Sequence, residues 1–358
     1  MNAAQKWFFT KLAILLTVLF FLFSCSSITG PGYYSHMIYG EMSILANRTP
    51  ISVLLADKNT PPLLKENLLK IKEMREFAIY EVGLAASGSF TTYADVGRKY
   101  ATWALTATPE FSVTPRMWCF PIAGCSSYLG FFDETRAERT KKELRQMMYD
   151  VSLRGVTAFS TIGWFADPVM NTHFDYTDAG LAGLIIHEKA HEILYVKNDT
   201  SFNEAFASFV GQTGQKLWIA KHYGEGGVQK FLKQEKRAGE FGSLIIGVRK
   251  ELRILYKKNL TPDQMRLAKN ETFAKMRDGY SRLKKSWDGY SGYDAWFAKN
   301  LNNADVVGTD EYANLVPFFQ KLFDLSGQNF TVFYTKAKAI ANLPKMERYL
   351  EIEKILSE

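Results

Sequence analysis

The segment His187-Glu188-Lys189-Ala190-His191 constrains the fold of this chain more than any other feature of its sequence. Residues four apart differ by only about 40° around an α-helix, so two imidazoles at this spacing face the same side of a helix. The apolar neighbours fit one helical face; they are Leu181, Leu184, Ile185 and Leu194. We therefore predict a helix over residues 178–195, with Glu188 about 100° from His187 on the same side.

Two histidines at this spacing with a glutamate between them are typical of zinc peptidases. A catalytic zinc needs a third protein ligand and one open position. In metzincins the third ligand is a histidine six residues beyond the second, but Lys197 stands at that place in this chain. The metzincin class is therefore excluded.

The third ligand is indicated by a resemblance. Residues 202–209, FNEAFASF, resemble the Asn-Glu-Gly-Phe-Ala segment of alanyl-aminopeptidase-like gluzincins, which implies that Glu204 is a zinc ligand. The interval from His191 to Glu204 is shorter than in those enzymes, so we expect a tight loop between two helices, the second over residues 202–223 and ended by Gly224. The alternative is a capping box, with Ser201 as N-cap and Glu204 at the third helical position.

The motif also predicts a mechanism. One zinc ion per chain, held by His187, His191 and Glu204, would lower the pKa of its bound water, and Glu188 would act as the general base. A donor to the oxyanion is also needed. The tyrosine candidates are Tyr176, Tyr195 and Tyr312, and we expect His222 to lie on the surface.

A substrate-binding strand is expected before the motif. Residues 155–163, GVTAFSTIG, are typical of a strand with glycine at both ends. Related gluzincins have an edge strand here that binds the peptide backbone by β-augmentation, which makes Ala158 and Phe159 candidate substrate contacts. A buried strand is the alternative interpretation.

The N-terminal segment predicts export to the cell envelope. Lys6 and Lys11 precede an apolar stretch over residues 12–23, a pattern typical of a signal peptide over residues 1–24. The stretch ends in Leu-Phe-Ser-Cys, which resembles a bacterial lipobox and implies that Cys25 is lipidated and followed by a tether over residues 25–32. Ser26 then favours the outer membrane, facing the periplasm. The alternative is an N-terminal anchor helix with an incidental cysteine.

The other two cysteines suit an oxidising compartment. Cys119 and Cys125 stand in WCFPIAGC, where Pro121 and Gly124 allow a tight turn, so we predict a disulfide between them. Two free buried thiols are the alternative. A metal site made by this pair alone is excluded, because no third cysteine or histidine lies nearby at ligand spacing.

Composition limits the fold class and the partners. The chain has 358 residues, of which 47% are hydrophobic, and a net charge of +7 without a run of basic residues, so we expect a folded protein that does not bind nucleic acid. Periodicity predicts mainly helices, including an amphipathic one over residues 136–149. The predicted fold is α+β, predominantly helical, with a gluzincin-like core and a small sheet edging the cleft. We divide the single unit 33–358 into an N-terminal part 33–150, a catalytic core 151–227 and a helical part 228–358.

Several further segments resemble one family, the predicted zinc-dependent aminopeptidases of Gram-negative envelopes. They are YADV at 93–96, PEFS at 109–112, WCFPIAGC at 118–125, YLGFFDE at 128–134, residues 155–168, and the block from the HExxH motif to Glu204. The resemblance implies a peptidase acting on peptides. This chain departs from the family at Lys189, Glu192 and Gly211, where Leu, Gln and an acid are usual. A non-catalytic lipoprotein that binds peptides or envelope partners is the alternative function.

An aminopeptidase also needs a carboxylate that binds the α-ammonium group of its substrate. Residues 155–171 contain no glutamate, and their only acid is Asp167. The other candidates are Asp133 and Glu134, for which capping of a helix N-terminus is the alternative role. An endopeptidase, which needs no such carboxylate, is the alternative.

Overall fold

The computed structural model describes residues 28–120, 124–158, 166–307 and 315–357 of the chain. The predicted signal peptide, the lipidation site Cys25, the substrate contact Phe159 and the oxyanion candidate Tyr312 lie outside these ranges. Among the described residues, no helix is both long and apolar enough to span a membrane.

Helices form most of the described chain. They are α1 Pro31–Ala46, α2 Ile51–Ala56, α3 Pro62–Tyr80, α4 Glu134–Gln146, α5 Asp178–Ala190, α6 Thr200–Leu255, α7 Pro262–Ser286, α8 Asp294–Phe297, α9 Val316–Asp324, α10 Phe330–Ala341 and α11 Lys345–Ser357. Short 3₁₀ turns occur at Asn171–Asp175 and Asn303–Asp305. The predicted class, α+β and predominantly helical, is confirmed, whereas the gluzincin-like core and the division into three parts remain predictions.

The strands are short and form small sheets. They are β1 Thr49–Pro50, β2 Thr92–Ala94, β3 Thr102–Pro109, β4 Trp118–Phe120, β5 Gly124–Ser126, β6 Leu129–Phe131, β7 Tyr149–Val156 and β8 Val169–Met170. One sheet has the order β1-β2-β8, another the order β6-β3-β7, and β4 pairs with β5 as a hairpin. Cys119 and Cys125 face each other across that hairpin and form a disulfide.

Only residues 155–158 of the strand predicted at 155–163 belong to the described ranges. The observed strand, β7, covers Tyr149–Val156, and Ala158 lies beyond its end. β7 pairs antiparallel with all of β3, from Pro109↔Tyr149 to Thr102↔Val156, and the pairing stops where β3 begins. Gly155 lies inside the strand. The position suits glycine because the Tyr100 ring occupies the space of a side chain: a Cβ there would come within 2.3 Å of the ring.

Two predicted helix ends also differ from the structure. The motif helix α5 ends at Ala190, with His191 as its C-cap, rather than at residue 195. The next helix, α6, begins at Thr200 and has non-helical dihedrals at Gly224 (φ 61°, ψ −162°), beyond which the helix resumes. Glycine adopts this left-handed φ at little cost, so Gly224 interrupts the helix without ending it.

The main core packs α6 against α3, α5 and the C-terminal helices. Phe202, Phe206 and Phe209 are spaced by four and three residues, so they lie on one face of α6, and each is at most 2% exposed. Phe202 contacts Phe319 of α9, with ring centroids 5.1 Å apart, and Phe206 stacks on Phe333 of α10 at 5.8 Å. This aromatic packing holds the N-terminal half of α6 in place, and that half carries Glu204.

Candidate metal centre

Helices α5 and α6 pack closely because glycines lie at their contact. A Cβ on Gly211 would lie 3.0 Å from the Cβ of His187 and 3.2 Å from the carbonyl oxygen of Gly183. A Cβ on Gly214 would lie 2.7 Å from the side chain of Ile186. The backbone of α6 therefore passes directly against the motif helix. Gly211, one of the departures from the family resemblance, lies at this contact.

The close approach brings two histidines and a glutamate together. The Nε2 atom of His187 is 3.5 Å from Oε2 of Glu204, and Nε2 of His191 is 3.7 Å from Oε1 of the same carboxylate. Ligand atoms of these three side chains all lie within 4.8 Å of one another. No other group of three or more such residues that could hold a metal ion occurs in the described ranges. Two imidazole nitrogens and one carboxylate oxygen thus converge on one point.

The capping-box alternative for Glu204 does not describe the structure. The N-cap of α6 is Asp199 rather than Ser201, and Asp199 makes no capping hydrogen bond through its side chain. The Glu204 carboxylate instead lies between the two imidazoles. Burial raises its pKa, but the hydrogen bond from His187 and the two histidine charges outweigh burial, so the pKa is lowered overall. Glu204 is therefore held as a carboxylate.

The two histidines are in different electrostatic states. Burial lowers the pKa of His191 to about 4, which leaves its imidazole neutral near pH 7. Burial also lowers the pKa of His187, but the hydrogen bond with Glu204, the charges of Glu188 and Glu204 and a hydrogen bond to the Ala207 carbonyl raise it overall. A backbone carbonyl that accepts from one ring nitrogen fixes the orientation of the other, as is usual for metal-binding histidines.

His191 has a second ring nitrogen, Nδ1, besides the Nε2 atom near Glu204. Nδ1 of His191 is buried and has no hydrogen-bond partner within the part of the chain that the structure describes. Glu188, between the two histidines in sequence, is half-buried, and its charge acts on His187. The structure therefore brings the three predicted ligands His187, His191 and Glu204 together, with Glu188 on the same helix as the histidines.

The short loop between α5 and α6 is held by buried polar contacts. The side chain of Asn203 accepts from the Val196 backbone N–H at 2.7 Å and donates to the Val196 carbonyl at 2.8 Å. Asp199 is 3% exposed and accepts hydrogen bonds from Arg348 and Tyr349 of α11, both at 3.0 Å. The C-terminal helix thus fixes the loop that joins the two ligand-bearing helices.

The departures at Lys189 and Glu192 form a pair. Lys189 is fully buried, and its Nζ donates to the Ser87 hydroxyl at 2.9 Å and to Glu192 at 3.4 Å. The Ser87 hydroxyl in turn donates to the other Glu192 oxygen at 2.9 Å. Arg75 of α3 donates to the carbonyls of Ser87 and Ser89. This network fixes the loop after α3 against the end of α5, on a different side of that helix from the histidine pair.

The predicted substrate contacts are less closely connected to the cluster. Ala158 follows β7 and is half-buried, and its neighbour Thr157 donates to the Tyr176 hydroxyl at 2.8 Å. Tyr176 and Tyr195 are 38% and 56% exposed. His222 is paired with Glu73 at 3.0 Å, which is consistent with its predicted surface position.

The three acids proposed for amine binding have other surroundings. Asp133 is the N-cap of α4, accepting from the Arg136 backbone at 2.7 Å, and lines a groove of about 410 Å³ that does not include the histidine cluster. Glu134 is exposed in the first turn of α4. Asp167 is 9% exposed. The burial of Glu41, together with the charge of Asp167, raises the pKa of Glu41 to about 7. The structure does not show any of the three against the cluster.

Tyr128, between β5 and β6, was not singled out from the sequence. Burial raises the pKa of the Tyr128 phenol, Arg154 opposes this shift, and the charge of Glu204 adds to it. In the sequence, Tyr128 opens the family-like segment YLGFFDE, which is distant from the motif along the chain.

The fold and the cluster define a mostly helical α+β protein with a candidate metal centre on two adjacent helices. A family model described as "Putative aminopeptidase" matches residues 32–352, which is most of the chain. The chain belongs to this family. No curated protein and no solved structure matches it. Family membership supports peptidase activity and confirms the aminopeptidase resemblance at that level.

The glycine contact predicts an effect of adding one methyl group. Gly211→Ala should lower the free energy of unfolding by about 1–3 kcal/mol, because the new Cβ would press against His187. Gly247→Ala, on the same helix, is the control, since nothing lies within 4 Å of the added Cβ. This substitution should be neutral or stabilising by up to about 1 kcal/mol. Urea denaturation measures both. Equal stability of the two variants would contradict the close packing.

Loss of the buried ion pair between Arg348 and Asp199 should destabilise the protein more than the added methyl group at position 211. Arg348→Met should destabilise the protein by about 3–5 kcal/mol, because it leaves Asp199 charged and buried without its cation. Tyr349→Phe, which removes only a hydroxyl from the same carboxylate, should cost about 1 kcal/mol. The free energies of unfolding in urea compare the two. A smaller loss for Arg348→Met than for Tyr349→Phe would refute the role of the ion pair.

Proposed function

We propose that this protein is a zinc-dependent peptidase, acting as an aminopeptidase. The observation that supports this most strongly is the Glu204 carboxylate, whose oxygens lie 3.5 and 3.7 Å from the Nε2 atoms of His187 and His191. Three protein ligands of this kind leave one position open, which is the arrangement of catalytic zinc sites. Family membership supports the peptidase part of the proposal.

The residues present fit a zinc ion. His191 is neutral near pH 7, as a metal-binding imidazole must be, and Glu204 is ionised. Nε2 of His187 faces the Glu204 carboxylate at 3.5 Å. Zinc in such a site supplies Lewis acidity, polarising a peptide carbonyl and lowering the pKa of water toward neutrality.

The protein's own residues would carry the proton. Glu188 is the proposed general base, accepting a proton from the attacking water; its half-buried position next to His187 in sequence supports this role. The same carboxyl group would then donate the proton to the leaving amine. Peptides are the proposed substrates, and the proposed location is the bacterial envelope, with a lipid on Cys25 anchoring the chain to the outer membrane.

The different roles of two glutamates make the proposal testable. Glu188→Gln should keep about one zinc per chain while activity falls by about 10²–10⁴-fold, because it removes a general base and no ligand. Glu204→Gln should lose most of the zinc together with the activity, because a ligand carboxylate is replaced by an amide. Elemental analysis after dialysis and a peptidase assay provide both readouts.

Each outcome has a clear meaning. Loss of zinc from Glu188→Gln would show that Glu188 is a ligand. Full zinc retention by Glu204→Gln would remove Glu204 from the site. A well-folded wild-type chain that binds no zinc would overturn the enzyme proposal in favour of a peptide-binding lipoprotein.

Cleavage of a free-amine peptide and its N-acetylated form tests the aminopeptidase assignment. We expect the free-amine peptide to be cleaved at least about tenfold faster, because an ion pair with the α-ammonium group is available only there. One of Asp167→Asn, Asp133→Asn and Glu134→Gln should reduce this preference. Comparison of kcat/KM for the two peptides in each variant gives the answer, and equal rates in the wild type would indicate an endopeptidase.

A further inference from the structure

Helix α1 has apolar residues on both of its faces. Its inner face packs on the protein through Tyr33 and Ile44, which are 6% and 4% exposed. Its outer face carries three large apolar side chains that are strongly exposed, Ile38 (64%), Tyr39 (76%) and Met42 (55%), and Tyr34, which is 36% exposed and contacts the Phe120 ring. A helix at the surface of a globular protein normally has polar residues on its outer side, so this face calls for a partner.

The exposed side chains form one continuous surface. At 100° per residue, Tyr34, Ile38, Met42 and Tyr39 fall within an arc of about 140°. No charged residue lies in this arc, whose other members are Pro31, Ser35, Leu45 and Ala46. The ionisable residues His36 and Glu41 are half-buried and lie outside it. We call the four exposed residues Tyr34, Ile38, Tyr39 and Met42 the outer face of α1.

The chain before α1 restricts what this face can meet. The apolar stretch of residues 12–23 and the predicted lipidation site Cys25 precede the helix, and only the short segment 26–30 separates Cys25 from Pro31. Six residue steps span at most about 20 Å even when fully extended. A bilayer that holds either the apolar stretch or a lipid on Cys25 is therefore within one short tether of α1.

Charge near the start of the helix is compatible with phospholipid headgroups. Arg136 of α4 donates to the Gly32 carbonyl at 2.9 Å, which places a cation at the first turn of α1. Helix α4 has five basic and three acidic residues. Basic side chains at a membrane surface attract anionic lipids, and tyrosines favour the boundary between headgroups and acyl chains.

We propose that the outer face of α1 lies on an anionic phospholipid bilayer, with its side chains at the headgroup–acyl boundary. The helix is then a second membrane contact, which fixes how the folded chain sits on the membrane. This inference rests on the envelope location in the proposed function, but it does not depend on zinc binding or peptidase activity.

Fluorescence quenching by brominated lipids tests the proposal. The full chain, purified in detergent, is reconstituted into vesicles of phosphatidylethanolamine and phosphatidylglycerol whose acyl chains are brominated near the headgroup. Ile38→Trp and Tyr39→Trp report on the outer face. Leu267→Trp on α7 is the matched control, since Leu267 is 62% exposed and Ile38 is 64% exposed. Vesicle flotation and thermal unfolding of each variant establish attachment and folding.

The signal of each added tryptophan is taken relative to the wild-type chain. We expect brominated lipid to remove about half or more of the emission added at positions 38 and 39, and little of that at 267, because interfacial helices bury their apolar face about 5–10 Å deep. Equal quenching at all three positions in chains that float with the vesicles would overturn the contact while leaving the anchor in place. Emission at 38 and 39 that is blue-shifted in a dimeric chain but unquenched would assign the face to a second copy. A chain that fails to float would overturn both the anchor and the contact.

Discussion

The close packing of α5 against α6 is the constraint on which the rest of the site depends. Because Gly211 has no side chain, the backbone of α6 lies against His187, and Glu204, two helical turns earlier, comes opposite the histidine pair. A wider separation of the helices would place the carboxylate beyond reach of both imidazoles. The phenylalanines on another face of α6 pack against the C-terminal helices α9 and α10.

The sequence predicted those parts of the site that follow from local helical geometry. Histidines four residues apart share a helix face in any helix, so the pair could be predicted without knowing the fold. The ends of elements depend on distant partners and were predicted less well. Strand β7 ends at Val156 because β3 begins at Thr102, and Gly155 accommodates the ring of Tyr100; neither reason can be read from residues 155–163 alone. Tyr128 was missed for the same reason.

The positions at which this chain departs from its family's pattern are coupled in space. Lys189 is fully buried, which is unfavourable for a charged amine unless it is paired. Glu192 and Ser87 supply the partners, so Lys189 and Glu192 depend on each other. In the structure, both departures belong to one hydrogen-bonded network with Ser87.

The candidate ligands are positioned by parts of the fold that do not need a metal. The loop before Glu204 is held by Asn203 and by the ion pair of Asp199 with Arg348. Without an ion, Glu204 is satisfied by the histidines themselves. A chain of this length buries a core large enough to fold without a structural metal. An ion entering a centre built in this way would meet donors already in place, so its binding energy would be available for chemistry rather than for folding.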